Sequence, residues 1–162
     1  MQSCNVKEKE MKKIASFTVN HDRLEKGMYI SRVDGDVVTY DLRMKKPNGG
    51  DYLCMSAAHT FEHLFATYAR NSKWGEQVVY VGPMGCRTGF YLLLRASVSY
   101  PEAIALAQES MAFIRDFNGE IPGNKREECG NYLDHDLAGA KSLGAEMSKV
   151  LQNWKEENLY YQ

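Results

Sequence analysis

Residues 28–33 and 37–44 are two β-favouring runs joined across Asp34-Gly35-Asp36, where the glycine can take positive φ, and together they predict a hairpin. In the second run Val38, Tyr40, Leu42 and Met44 alternate with Val37, Thr39, Asp41 and Arg43, so one face is core and the other is a polar face carrying Asp41 and Arg43. A loop through Pro47, Asn48, Gly49 and Gly50 leads to a helix expected over 56–70, which the Asn71-Ser72 pair closes. Strands are expected at 78–81 and 88–96, separated by a Gly-Pro-Met-Gly-Cys-Arg turn. Pro101 suits the first turn of a second helix, in which Ile104, Ala107, Met111 and Ile114 keep helical spacing until Asn118-Gly119. A loop with Pro122 and Gly123 carries Cys129, and a last helix over 137–154 repeats Leu137, Ala140, Gly144, Met147, Leu151 and Trp154 on one face. Hairpins with helices inserted between them predict an α+β fold, a mainly antiparallel sheet with helices packed on one face.

With 162 residues, one domain and one core are expected, divided into an N-terminal extension at 1–13, a catalytic domain at 14–156 and a tail at 157–162. The tail differs by one residue from a common protease-tag remnant and is assigned no function. Apolar residues make up 44% and charged residues 25%, which excludes a disordered or fibrous chain. Twenty basic against 21 acidic residues give a net charge of −1, too little basic field to draw in nucleic acid or an anionic membrane. The uninterrupted apolar run at 90–94 is far short of the roughly 20 residues a membrane span requires. The charged N-terminus lacks the apolar centre of a secretory signal, so the expected compartment is the cytoplasm. There Cys4, Cys54, Cys86 and Cys129 stay reduced, and their irregular spacing forms neither a disulfide framework nor paired zinc knuckles.

The sharpest chemical signal is the H-x-x-E-H pattern His59-Thr60-Phe61-Glu62-His63 on the first helix. At about 100° per residue, His59, Glu62 and His63 share an arc of roughly 100°, with Phe61, Leu64, Phe65 and Tyr68 on the other side. Two imidazoles one turn apart can hold one metal, and the carboxylate beside them can move a proton at whatever the metal binds. The bland alternative is two surface histidines and a solvated glutamate. A catalytic metal wants a third protein ligand with one position open. The loop thiol of Cys129, beside Gly130, can reach the helix, although a lone cysteine is more often an inert buried residue. Cys86 lies between Gly85 and Arg87 in the strand-to-strand turn, where ligands can approach closely; an ordinary turn cysteine is the commoner reading.

Taken in order, HTFEHLFA at 59–66, PMGCRTGFY at 83–91, ECG at 128–130 and HDLAGAK at 135–141 resemble S-ribosylhomocysteine lyase, the LuxS family of autoinducer-2 synthesis. The resemblance extends to Ser16-Phe17 followed by His21 and to Asp41-Leu42-Arg43, which match the family's substrate-binding positions. It implies a fold like that of the inverted zinc peptidases. It also implies cleavage of the S-ribosylhomocysteine thioether to homocysteine and 4,5-dihydroxy-2,3-pentanedione, precursor of a quorum-sensing signal and a step in recycling a methylation by-product. The implied metal ligands are His59, His63 and Cys129, with Glu62 and Cys86 moving protons. The implied ion is one iron(II) per chain, which zinc or cobalt can replace. A homodimer with two composite sites is implied, in which Ser16, His21 and Arg43 of one chain bind substrate at the metal of the other. The chain departs from the family's usual Asp-Ile-Ser before Pro-Met-Gly-Cys, carrying Tyr80-Val81-Gly82 instead, and its N-terminal extension is longer. The lost acid and hydroxyl bear on hydrogen bonding around the site and on rate more than on reaction type.

Two rivals stand beside this reading. H-x-x-E-H also marks inverted zinc peptidases, which use a downstream glutamate as third ligand and are larger chains; peptide cleavage instead of thiol release identifies them. A non-catalytic metal-stabilised protein is the other, and a metal with all four positions filled by protein would mark it.

Overall fold

A computed structural model describes residues 11–162; Cys4 and most of the expected N-terminal extension lie outside the described residues. Four strands, β1 (Gly27–Asp34), β2 (Val37–Arg43), β3 (Val78–Pro83) and β4 (Gly89–Arg95), form one sheet of order β1-β2-β4-β3 in which every neighbouring pair is antiparallel. The β1–β2 turn is as short as its sequence predicts, with Asp34 paired to Val37 and Gly35 at φ 58°. Three helices, α1 (Met55–Asn71), α2 (Tyr100–Asp116) and α3 (Leu137–Leu151), pack on one face of the sheet.

The alternation in β2 builds the core directly. Leu42 pairs with Phe90, Tyr40 with Leu92 and Val38 with Leu94, and all six side chains are buried. Against them α1 sets Phe61, Leu64 and Phe65, with the Phe61 ring 4.8 Å from that of Phe90. Ser99 starts α2 with a capping box to Glu102, and the Asp136 carboxylate starts α3 by accepting from the Gly139 amide at 2.9 Å. Glycine lets α3 lie close to both neighbours. A Cβ at Gly139 would meet the Ala57 Cβ of α1 at 2.8 Å, and one at Gly144 would meet the Arg115 backbone of α2 at 2.9 Å. α1 carries His59 and His63, and the loop that joins α2 to α3 carries Cys129 and His135.

Two expectations need correction. The last helix stops at Leu151, not at Trp154, because the Trp154 indole turns away to donate to the Met28 carbonyl at 2.9 Å. On the polar face of β2, Asp41 and Arg43 are only 1% and 3% exposed. Tyr29 and Tyr91 flank Asp41 on the neighbouring strands, and the C-terminal segment closes over it. That segment, read as a tail without function, is part of the packed molecule: Leu159 is fully buried and Tyr161 stacks on Tyr29 with ring centroids 5.1 Å apart.

Candidate metal centre

His59 and His63 lie one turn apart on α1, both half-buried, with ring centroids 4.7 Å apart. Each ring is oriented by a carbonyl. His59 Nδ1–H donates to the Asp134 oxygen at 2.7 Å and His63 Nδ1–H to the Pro122 oxygen at 2.8 Å. Because a carbonyl only accepts, both protons sit on Nδ1 and both Nε2 lone pairs are free to bind a metal. The loop supplying these carbonyls turns tightly under His63 at Gly123, where φ is +72° and a Cβ would stand 3.2 Å from His63 Nδ1. It then brings Cys129 Sγ to 3.4 Å from His59 Nε2. The expected triad of His59, His63 and Cys129 therefore comes together.

A fourth donor joins it. His135 stacks on His59 with centroids 4.1 Å apart, and the ligand atoms of His59, His63, Cys129 and His135 all lie within 4.8 Å of one another. Its Nδ1 bonds the Thr60 hydroxyl at 2.9 Å, while its Nε2 is buried without a partner. Burial first, then the nearby His59 and His63, hold His135 below its ordinary value, so it favours the neutral, metal-binding form. Two oriented imidazoles, a thiol and an orphaned buried nitrogen are the donor set of a borderline-soft divalent ion. In the sequence His135 stands out only as the first residue of the HDLAGAK motif. The one hint was composition, since three of the chain's four histidines meet here.

Glu62 lines a cleft of about 410 Å³ beside His59, walled by Leu53, Met55 and Met84. Cys86 is not in that cleft. In the Pro83–Thr88 segment Met84 and Gly85 face the His59 side, and Arg87, at φ 59°, stands between the two sides and lines both. Cys86 instead lines a second cleft of about 260 Å³ with His21, Tyr52 and Thr88. Ser16 sits in a single 3-10 turn, Ala15–Phe17, and lines neither cleft. The His21 ring is held by the Val19 carbonyl at 2.9 Å.

Arg43 and Asp41 form a buried pair behind the second cleft. Nε and Nη2 of Arg43 donate to the two Asp41 oxygens at 3.1 and 2.6 Å, and Nη1 donates to Thr88 Oγ1 at 2.7 Å. Burial opposes the Arg43 charge, but hydrogen bonds and attraction to Asp41 outweigh it and raise Arg43 above its ordinary value. Thr88 Oγ1 lies 3.0 Å from Cys86 Sγ, and since it accepts from Arg43 its own proton is free to point at the sulfur. Cys54 begins α1, where the Ser56 hydroxyl and then the Ala57 and Ser56 amides hold its thiol below the usual range. Cys54, Cys86 and Cys129 are free thiols.

The departures Tyr80 and Gly82 are coupled. They stand two apart on the edge strand β3, and the Tyr80 ring folds over Gly82 into the space a Cβ would fill. A serine at 82 would have to displace that ring.

A carboxylate beside an oriented His-His-Cys set, opening on a cleft, can transfer protons at a substrate polarised by a metal, which places the molecule among metal-dependent α+β enzymes. A family model described as S-ribosylhomocysteinase (LuxS) matches residues 14–158. The S-ribosylhomocysteine lyase of Phocaeicola vulgatus is 48% identical over 157 residues, covering 93% of this chain and 98% of that protein. That of Clostridium acetobutylicum is 48% identical over 156 residues, covering 93% and 99%, and that of Porphyromonas gingivalis is 46% identical over 157 residues, also covering 93% and 99%. The chain belongs to the LuxS family of S-ribosylhomocysteinases and is an enzyme of the lyase type. No helix among the described residues is long and apolar enough to cross a membrane.

Proposed function

We propose that this enzyme cleaves the thioether of S-ribosylhomocysteine, releasing homocysteine and 4,5-dihydroxy-2,3-pentanedione without consuming water, in the reducing cytoplasm. The observation that carries this reading is the oriented His59–His63 pair with Cys129 at its side and Glu62 in the adjoining cleft. These residues fit a divalent ion, and we assign His59, His63 and Cys129 as its ligands and iron(II) as the ion, with zinc or cobalt able to replace it. When bound, the ion polarises the sugar carbonyl and acidifies the adjacent C–H.

This chain's residues then divide the proton transfers. Cys86 takes a proton from one sugar carbon and returns it to the next, so that the carbonyl moves along the ribose until it is β to the sulfur. Glu62 removes the proton whose loss expels homocysteine as a thiolate, and the thiolate is protonated on release. Arg43 holds the amino acid carboxylate of the substrate: three of its five N–H protons are taken by Asp41 and Thr88, leaving two for an incoming anion. Ser16 and His21 contact the substrate near the ribose.

Within one chain Glu62 and Cys86 line different clefts. That separation supports a homodimer in which Ser16, His21, Arg43 and Cys86 of one subunit complete the site around the metal of the other. His135 favours a second reading of the resting site, in which its orphaned Nε2 fills the fourth position. A cobalt-loaded sample separates the two, because substrate changes the visible spectrum of an open site and leaves a closed one unaltered.

The function is tested by incubating anaerobic, iron-loaded protein with S-ribosylhomocysteine and titrating the free thiol. Steady thiol release is expected. Its absence in metal-replete protein contradicts the reading.

A further inference from the structure

The Asp41–Arg43 pair does not end at Asp41. Tyr161, the penultimate residue, donates its phenol proton to Asp41 Oδ2 at 2.7 Å, on the same oxygen that receives Arg43 Nη2 at 2.6 Å. A continuous chain of contacts therefore runs from the C-terminal segment through Asp41, Arg43 and Thr88 to the Cys86 sulfur. We propose that Tyr161 is a positioning residue for substrate binding: its hydroxyl shares the Asp41 carboxylate and so sets the orientation and effective charge of the Arg43 guanidinium. This deepens, and rests on, the assignment of Arg43 to the substrate carboxylate.

Three observations support it. The segment is anchored ahead of Tyr161 by the buried Leu159, by the Lys155 amide bonded to Asn158 Oδ1 at 2.8 Å, and by the Trp154 indole on Met28. The ring of Tyr161 stacks on Tyr29 at an interplanar angle of 25°, and Tyr29 is the β1 partner of Asp41, so the phenol is delivered where Asp41 lies. Burial first, and then the Asp41 charge, push the Tyr161 phenol upward, which keeps it a proton donor.

The physical consequence concerns charge. A buried guanidinium fully matched by one carboxylate is a neutral pair with little attraction left for a second anion. A phenol proton on Oδ2 draws part of the carboxylate's charge away from Arg43. The glycines that pair with Arg43 on either side, Gly27 and Gly89, leave its flanks without side chains.

The test compares Tyr161→Phe, which keeps the stacked ring and loses only the hydroxyl, with wild type and Arg43→Ala, all iron-loaded. Two substrates are used: S-ribosylhomocysteine, and the S-ribosyl thioether of 3-aminopropanethiol, which lacks only the carboxylate. For the natural substrate, Tyr161→Phe should raise KM about tenfold, the size of one hydrogen bond to a charged group, with kcat within about twofold of wild type. For the decarboxylated thioether, variant and wild type should have the same KM. Unchanged thermal midpoint and metal content in Tyr161→Phe exclude loss of fold, and Tyr161→Ala, which also removes the stack, should raise KM further. If wild type discriminates between the substrates and Arg43→Ala does not, yet Tyr161→Phe leaves both KM values alone or raises them equally, the positioning role is overturned and the Arg43 assignment stands. If wild type itself treats the two substrates alike, Arg43 does not hold the carboxylate and both ideas fall.

Discussion

His59 and His63 each keep a proton on Nδ1 and donate it in a hydrogen bond to a backbone carbonyl, which leaves Nε2 of both rings free as a ligand atom. His63→Ala and Cys129→Ala should lose stoichiometric metal, whereas Glu62→Gln and Cys86→Ala should keep it and lose turnover by about a hundredfold or more. Metal analysis beside kinetics checks both halves; full metal occupancy in both ligand variants would remove the ligand assignment. The two proton-transfer variants should also stall differently, Cys86→Ala before the early sugar protons exchange with solvent and Glu62→Gln after, with a keto sugar accumulating. Thr60 supports the cluster from beneath: it is fully buried, accepts from the Asp136 amide at 2.9 Å and bonds His135. Thr60→Val should cost about 2 kcal/mol of stability by leaving those buried groups unpaired, read as a lower denaturant midpoint. Helical spacing made His59, Glu62 and His63 legible in the sequence, because all three sit on one helix. Cys129 was legible only through its motif. His135 lies 75 residues from its partner Thr60, and no local pattern links the two.

Among the elements, α1 followed its sequence most closely, since its apolar stripe and ligand face lie on opposite sides of the helix; Phe61, Leu64 and Phe65 are buried as that spacing requires. β2 shows where such a reading stops. Alternation identified its core side but not what covers the opposite face, because the cover over Asp41 comes from a segment 120 residues further on. Resemblance to a tag remnant then concealed that cover. The α2–α3 junction depends on a residue that carries no chemistry. A Cβ on Gly144 would crowd Ile114 Cγ2 at 3.0 Å and the Arg115 backbone, so Gly144→Val should force the helices apart at a cost of about 2 kcal/mol or more. Thermal unfolding measures this, and a midpoint equal to wild type would mean that the helices separate freely.

At the scale of the whole molecule, the proposed sharing of each site between two subunits is tested by subunit exchange. Mixing Arg43→Ala with Glu62→Gln under conditions that exchange subunits should restore activity, since in a heterodimer one composite site carries both defects and the other carries neither. Heterodimers as inactive as their parents would confine each site to one chain. A metal held by the proposed site in the folded protein alone would stabilise it, so chelation should lower the thermal midpoint; at a free metal concentration about 1,000 times Kd the stabilisation lost is about 4 kcal/mol. The central claim is a metal-dependent elimination, and the products decide it most directly. Iron-titrated protein is given S-ribosylhomocysteine, with homocysteine measured by a thiol reagent and the dicarbonyl trapped as its quinoxaline. The account predicts equal amounts of the two, at a rate that climbs with bound iron and saturates at one ion per chain. Homocysteine accompanied by free ribose, the signature of hydrolysis, or product formation independent of the metal would contradict it.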